Sequence, residues 1–221
     1  MSRTQKELKA LRQQQREEAA ARQRARDRRN LYIIGGVLGT AAIAILIVAL
    51  ALQHQAQVQI DNRLHFQAVS GTVGQEIPDE GPATHVDPST TPTYKFYPPT
   101  SGPHYSLQGI APVNWQTIDN LVEGQFVHNL EHGGIAILYN CPSGSDCTAL
   151  KNQLENYVKN LAPAEPQFGE VKVVMTPYSR GMQKKIALVA WHYVDFLDAY
   201  DQNEITRFYE NHVDKGPEQI A

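Results

Sequence analysis

Residues 31–52, LYIIGGVLGTAAIAILIVALAL, run for twenty-two positions without a charged side chain, and they constrain this chain more than anything else in it. At the helical rise of about 1.5 Å per residue such a segment is roughly 33 Å long, close to the hydrocarbon thickness of a bilayer. No Asn, Gln, Pro or His interrupts it, which disfavours a buried helix of a soluble domain and predicts a single transmembrane helix. A cleaved signal peptide competes with this reading, because Ala49-Leu50-Ala51 resembles a small-residue cleavage site. The leader of thirty residues and an apolar stretch beyond the usual 7–15 or so favour an uncleaved signal anchor.

The net charge of −3 is the sum of two opposed halves. Residues 1–30 hold ten Lys and Arg against four acidic residues, whereas everything after residue 52 holds ten against nineteen. Arg22, Arg24, Arg26, Arg28 and Arg29 crowd the apolar start, and only Arg63 follows soon after its end. The positive-inside bias therefore puts the N-terminus in the cytoplasm and the remainder outside, at a cell membrane. The arginine cluster is expected to meet anionic lipid headgroups. Nucleic acid is not an expected partner, since no aromatics interleave the basic run. Gly35 and Gly39 form a GxxxG spacing that suits a homodimer, and another membrane protein is the alternative partner. The organisation that follows is a basic leader at 1–30, a span at 31–52, a polar stalk at 53–77 and a globular domain at 78–218.

That outer domain begins with seven prolines in residues 78–103, which predict extended or turning chain. Three runs, 135–140, 171–176 and 186–194, have the β-branched and aromatic character of buried strands. Leu150, Leu154, Val158 and Leu161 mark a helix over 147–161 capped by Ser145 or Asp146, and Ile205, Phe208 and Tyr209 mark another over 201–213 capped by Asp201. The fold class is α+β, a short central sheet with two packed helices. Cys141 and Cys147 lie on the expected oxidising side and are read as a local disulfide; metal ligation by the pair is the sharper alternative.

The densest chemistry is in VHNLEHGG at 127–134, which contains the H-x-x-E-H pattern of inverted zincin proteases. On a short helix over 126–132 closed by Gly133, His128 and His132 share one face and can reach one metal ion; on a strand they are about 13 Å apart and cannot. A hydrolase would further need Glu131 as a base toward metal-bound water and a third ligand on a long downstream helix, where this sequence instead enters a strand. Metal binding without hydrolysis needs only neutral imidazoles and an acceptor such as Glu131. His104, at the end of a proline-restricted loop, is the third candidate ligand, His85 the fourth, and Tyr105 a supporting neighbour. The competing interpretation is that these histidines simply pin loops through backbone hydrogen bonds. His192, inside an apolar strand, reads as a satisfied core histidine, and Met175 and Met182 as core filling rather than copper ligands.

YPPTSGPHY at 97–105 and VHNLEHGG, in this order, with AWHYVDF and a closing Gly216-Pro217-Glu218, resemble a bacterial family known as domain of unknown function 3105. The resemblance covers about residues 78–218 and implies a membrane-anchored protein with this domain outside the cytoplasm. It carries no established activity. It implies that His104, His128, Glu131 and His132, together with His85, belong to the family signature, and that His192 departs from a small residue expected after that Trp. The resulting expectation is a domain that binds zinc or copper through His104, His128 and His132, with His85 as a further ligand and Glu131 beside them. The alternatives are an envelope interaction module without metal and a metal-dependent hydrolase.

Overall fold

The computed structural model describes residues 3–61, 63–107, 109–141 and 144–220. The chain forms two compact units, Met1–Val58 and Gln59–Ala221. Helix α1 (Arg3–Asp61) runs without a break through the basic leader and the apolar run. Its apolar residues face outward all round, with Leu31 and Ile45 each 71% exposed. The segment Arg16–Gln57 is long and apolar enough to cross a membrane.

The second unit is α+β. Its short edge strand β1 (Gln75–Glu76) and the two-residue strands β2 (His85–Val86) and β3 (His104–Tyr105) precede helix α2 (Glu123–Glu131). Strand β4 (Ile135–Tyr139) leads into helix α3 (Ser145–Asn156), which continues as a π-turn over Tyr157–Leu161. Strands β5 (Val173–Pro177), β6 (Ile186–Ala190) and β7 (Tyr193–Leu197) and helix α4 (Gln202–His212) complete it. The sheet order is β1-β7-β6-β4-β5, antiparallel except for β4 with β5, and β2 and β3 form a separate parallel pair.

The sheet is covered on both faces, which explains why its central strands are apolar without alternation. Ile135 and Ile137 pack with Leu150, Leu154, Tyr157, Ile205 and Phe208 of the α3 and α4 layer. Ala136 and Leu138, pointing the other way, pack with Phe126, Val127 and Leu130 of α2. Each fully buried Leu, Ile or Phe here contributes about 1.5–3 kcal/mol, so α2 is anchored from beneath. At α4, Asp201 caps as expected, accepting from the Asn203 and Glu204 amides at 3.0 and 3.1 Å. The Cys141–Cys147 disulfide joins the end of β4 to the first turn of α3, across a Cα separation of 5.4 Å.

Four local expectations are corrected. Helix α3 starts earlier than 147, with Gly144 at its N-cap and Asp146 inside its first turn rather than capping it. The run 186–194 is not one strand: the chain reverses at Trp191-His192, where His192 adopts φ +65°, and β7 pairs back on β6. His192 is therefore a partly exposed turn residue, 3.6 Å from Asp79, and not a core histidine. Residues 63–77, expected to be stalk, lie on the domain instead. Arg63 donates to the carbonyls of Ala162 and Lys159 at 3.0 and 2.7 Å, and Asn211 holds the carbonyls of Val69 and Gly71. Val73 is buried in the core.

Candidate metal centre

Three pieces of backbone converge. The parallel pairing of β2 with β3 places His85 and His104 as direct Cα partners. Helix α2 and its C-cap residue present His128, Glu131 and His132 at positions i, i+3 and i+4, one face of a helix, as the helical reading of this segment required. Gly124 admits α2 to β3 at close range: a Cβ there would sit 2.8 Å from the Tyr105 ring. At the other end Gly133, at φ +77°, turns the chain out of the helix, and a Cβ would meet the backbone of Asp214 at 2.7 Å.

The ligand atoms of His85, His104, His128 and Glu131 all lie within 4.8 Å of one another. Glu131 Oε2 is 2.8 Å from His104 Nε2, 3.5 Å from His85 Nε2 and 3.9 Å from His128 Nε2. Donor atoms sharing one zinc-like ion are separated by roughly 3.3 Å, so these spacings bracket what an ion requires. His104 and His128 are fixed at their far nitrogens. His104 Nδ1 donates to the Gly102 carbonyl at 2.9 Å, and His128 Nδ1 donates to the carbonyl of Tyr105. Tyr105 thus supports the site through its backbone, not its phenol. With Nδ1 protonated, each neutral ring turns an Nε2 lone pair toward the cluster.

Burial favours that neutral state. It depresses the pKa of His104 and of His128 below the ordinary 6.5, and takes that of His132 down to about 4. Glu131 is pushed above its ordinary 4.5, first by burial and then by the nearby charge of Glu218. His104 Nε2 and Glu131 Oε2 are both buried and, despite their 2.8 Å separation, are not aligned for a hydrogen bond. With His104 protonated at Nδ1 and Glu131 ionised, two acceptors face each other.

His132 extends the cluster rather than entering its centre. Its Nε2 is 3.0 Å from His128 Nε2 and 3.4 Å from Glu218 Oε2, and Glu131, His132 and Glu218 form a second group of convergent ligand atoms. Glu131, expected as a supporting acceptor, belongs to both groups. Glu218 had no candidate role, and no spacing rule relates it to His132; its only signal was the Gly-Pro-Glu that closes the resemblance. Among the remaining candidates, Met175 is buried in the core on the α3 side and Met182 packs against the α2 side.

The arrangement suits binding of a borderline cation by imidazole and carboxylate, with His85, whose side chain is 47% exposed, at the solvent edge. No curated protein and no solved structure matches the chain. A family model described as a protein of unknown function does match, over residues 85–221, a span that contains both ligand groups. The chain therefore belongs to the DUF3105 family.

Proposed function

We propose that this protein is a membrane-anchored metal-binding domain, holding a transition metal through His85, His104, His128 and Glu131. One observation carries the reading: the buried Nε2 of His104 and Oε2 of Glu131 face each other at 2.8 Å without a hydrogen bond. Loop-pinning histidines would be satisfied at both ends; His104 is satisfied only at Nδ1, whereas His128 meets the Tyr105 carbonyl at Nδ1 and His132 at Nε2. An unpaired buried polar atom costs about 1–3 kcal/mol, and a cation between the two removes both penalties. Zinc and copper both accept this donor set.

Hydrolysis is the less supported reading, since Glu131 is packed against three imidazoles rather than held off as a base toward a metal-bound water. Anchoring rests on the outward-facing apolar surface of α1, which needs a non-aqueous surrounding, and on Arg22 to Arg29 before it. In this reading the arginines lie at the cytoplasmic face and the metal domain outside, where the Cys141–Cys147 disulfide would persist.

The test is elemental analysis of the purified full-length chain, alongside His104→Ala and His128→Ala. Metal in the wild type, lost in both variants, is expected. A wild type that stays metal-free after incubation with Zn2+ and with Cu2+, or variants that keep their metal, would refute the reading.

A further inference from the structure

We propose that the cluster takes two cations, with Glu131 as the carboxylate they share. This rests on the metal-binding reading and goes beyond it. The two ligand groups, His85-His104-His128-Glu131 and Glu131-His132-Glu218, overlap only at Glu131. A carboxylate has two oxygens and can serve an ion on each side. Sites of this kind hold their ions about 3.5–4 Å apart.

Occupation of the inner position also changes the state of His132. Its Nε2 lies 3.0 Å from His128 Nε2, and that lone pair is consumed once His128 ligates the inner ion. His132 Nε2 is then left with Glu218 Oε2, 3.4 Å away, beyond a good hydrogen bond. Two carboxylates and one imidazole, with ligand atoms within 4.8 Å of one another, then surround a second position. His132 is 6% exposed, so its ring nitrogen has little water to turn to.

The chain delivers Glu218 to this position by fixed contacts. The Glu218 amide donates to the Glu131 carbonyl at 3.0 Å. Gly216 lies so close to the end of α2 that a Cβ would stand 2.1 Å from that same carbonyl oxygen. Beyond it, Lys172 Nζ donates to the Ile220 carbonyl at 2.7 Å. The Glu218 side chain is nonetheless 48% exposed, so the outer ion, with three protein ligands, would face solvent and keep a position open for an exogenous ligand.

The experiment is equilibrium dialysis of the chelator-stripped full-length chain, in detergent, against Zn2+, with metal counted per chain by elemental analysis. Two equivalents are expected for the wild type. One is expected for His132→Ala and for Glu218→Gln, the latter a half-exposed position tied to the fold through its backbone amide, which the substitution keeps. Co2+ provides a second readout: a carboxylate-bridged pair couples magnetically, and that coupling should vanish in Glu218→Gln. A single equivalent in the wild type, or two retained in Glu218→Gln and His132→Ala alike, overturns the shared-carboxylate proposal and leaves the inner site standing. No metal in the wild type overturns both.

Discussion

Replacing Glu131 by Gln should make the metal-free protein more stable and the metal-loaded protein weaker. Above its raised pKa, Glu131 is an ionised acceptor aimed at another acceptor, His104 Nε2, 2.8 Å away. A Gln amide has N–H groups where the carboxylate has only lone pairs, and a turn about its terminal bond lets one of them donate to that imidazole. The exchange removes one buried unpaired nitrogen and one buried charge, and adds one hydrogen bond. From the usual cost of an unpaired buried group, the gain is about 1–3 kcal/mol. For a unit the length of Gln59–Ala221, 1 kcal/mol moves Tm by about 2–4 °C, so a rise of about 2–12 °C is expected in chelator at pH 7.5. With Zn2+ present the order should invert. A metal at a thousand times its Kd stabilises by about 4 kcal/mol, and Gln, a neutral and weaker ligand, forfeits most of that. Thermal melts of both chains, in chelator and in Zn2+, form a four-point cycle in which each chain is its own folding control. A Glu131→Gln protein that melts below the wild type in chelator would show that the carboxylate is satisfied in some other way, and the case for a cation would lose its foundation.

Two further outcomes follow from the same inventory. Stability of the metal-free chain should be level above about pH 6.5 and fall as pH drops toward 4, because the depressed histidines His104, His128, His132 and His212 take up protons more readily unfolded than folded. Each contributes up to about 1.4 kcal/mol per pH unit within its window; Glu131, raised above 4.5, acts in the opposite sense, so urea melts across this range should slope more steeply in Glu131→Gln. Away from the cluster, Lys172→Ala should cost about 3–5 kcal/mol by urea denaturation, since fully buried Lys172 donates to Asp214 at 2.8 Å and its loss leaves two neighbouring acids, Asp214 and Glu165, without their cation. A loss under 1 kcal/mol there would mean that water replaces the ammonium.

Legibility differed by element for physical reasons. The α3 and α4 helices were readable because Leu150 and Leu154, or Ile205, Phe208 and Tyr209, repeat at helical spacing and face one side of the sheet. The α2 histidines were readable only conditionally: His128 and His132 share a face if the segment is helical, and nine residues of α2 make it so. What the sequence could not show was the β2–β3 pair. Two residues bonded to two others leave no periodicity, and only packing brings His85 to His104 across a proline-rich loop. Glu218 was hidden for the same reason, as its place depends on Gly216 fitting against the end of α2. The strand break at Trp191-His192 was masked because the apolar run continues through the turn.

The cluster is oriented from outside itself, and this makes Gly124 a sensitive position although it touches none of the side chains that converge there. Ala is the better helix former by about 0.5–1 kcal/mol, so propensity alone predicts a more stable Gly124→Ala protein. The added methyl, however, would lie 2.8 Å from two carbons of the Tyr105 ring, closer than carbon atoms tolerate, and either Tyr105 or α2 must give way. Tyr105 supplies the carbonyl that holds His128 Nδ1, and it follows His104 directly in β3, so any displacement is passed to two imidazoles at once. Losing such an orienting contact typically weakens metal binding about 10–100-fold. Gly124→Ala should therefore melt within a few degrees of the wild type in chelator, yet bind Zn2+ at least about tenfold more weakly in a competition titration. Unchanged affinity at unchanged stability would mean that the ring yields without moving its backbone, and that His128 is oriented by α2 alone.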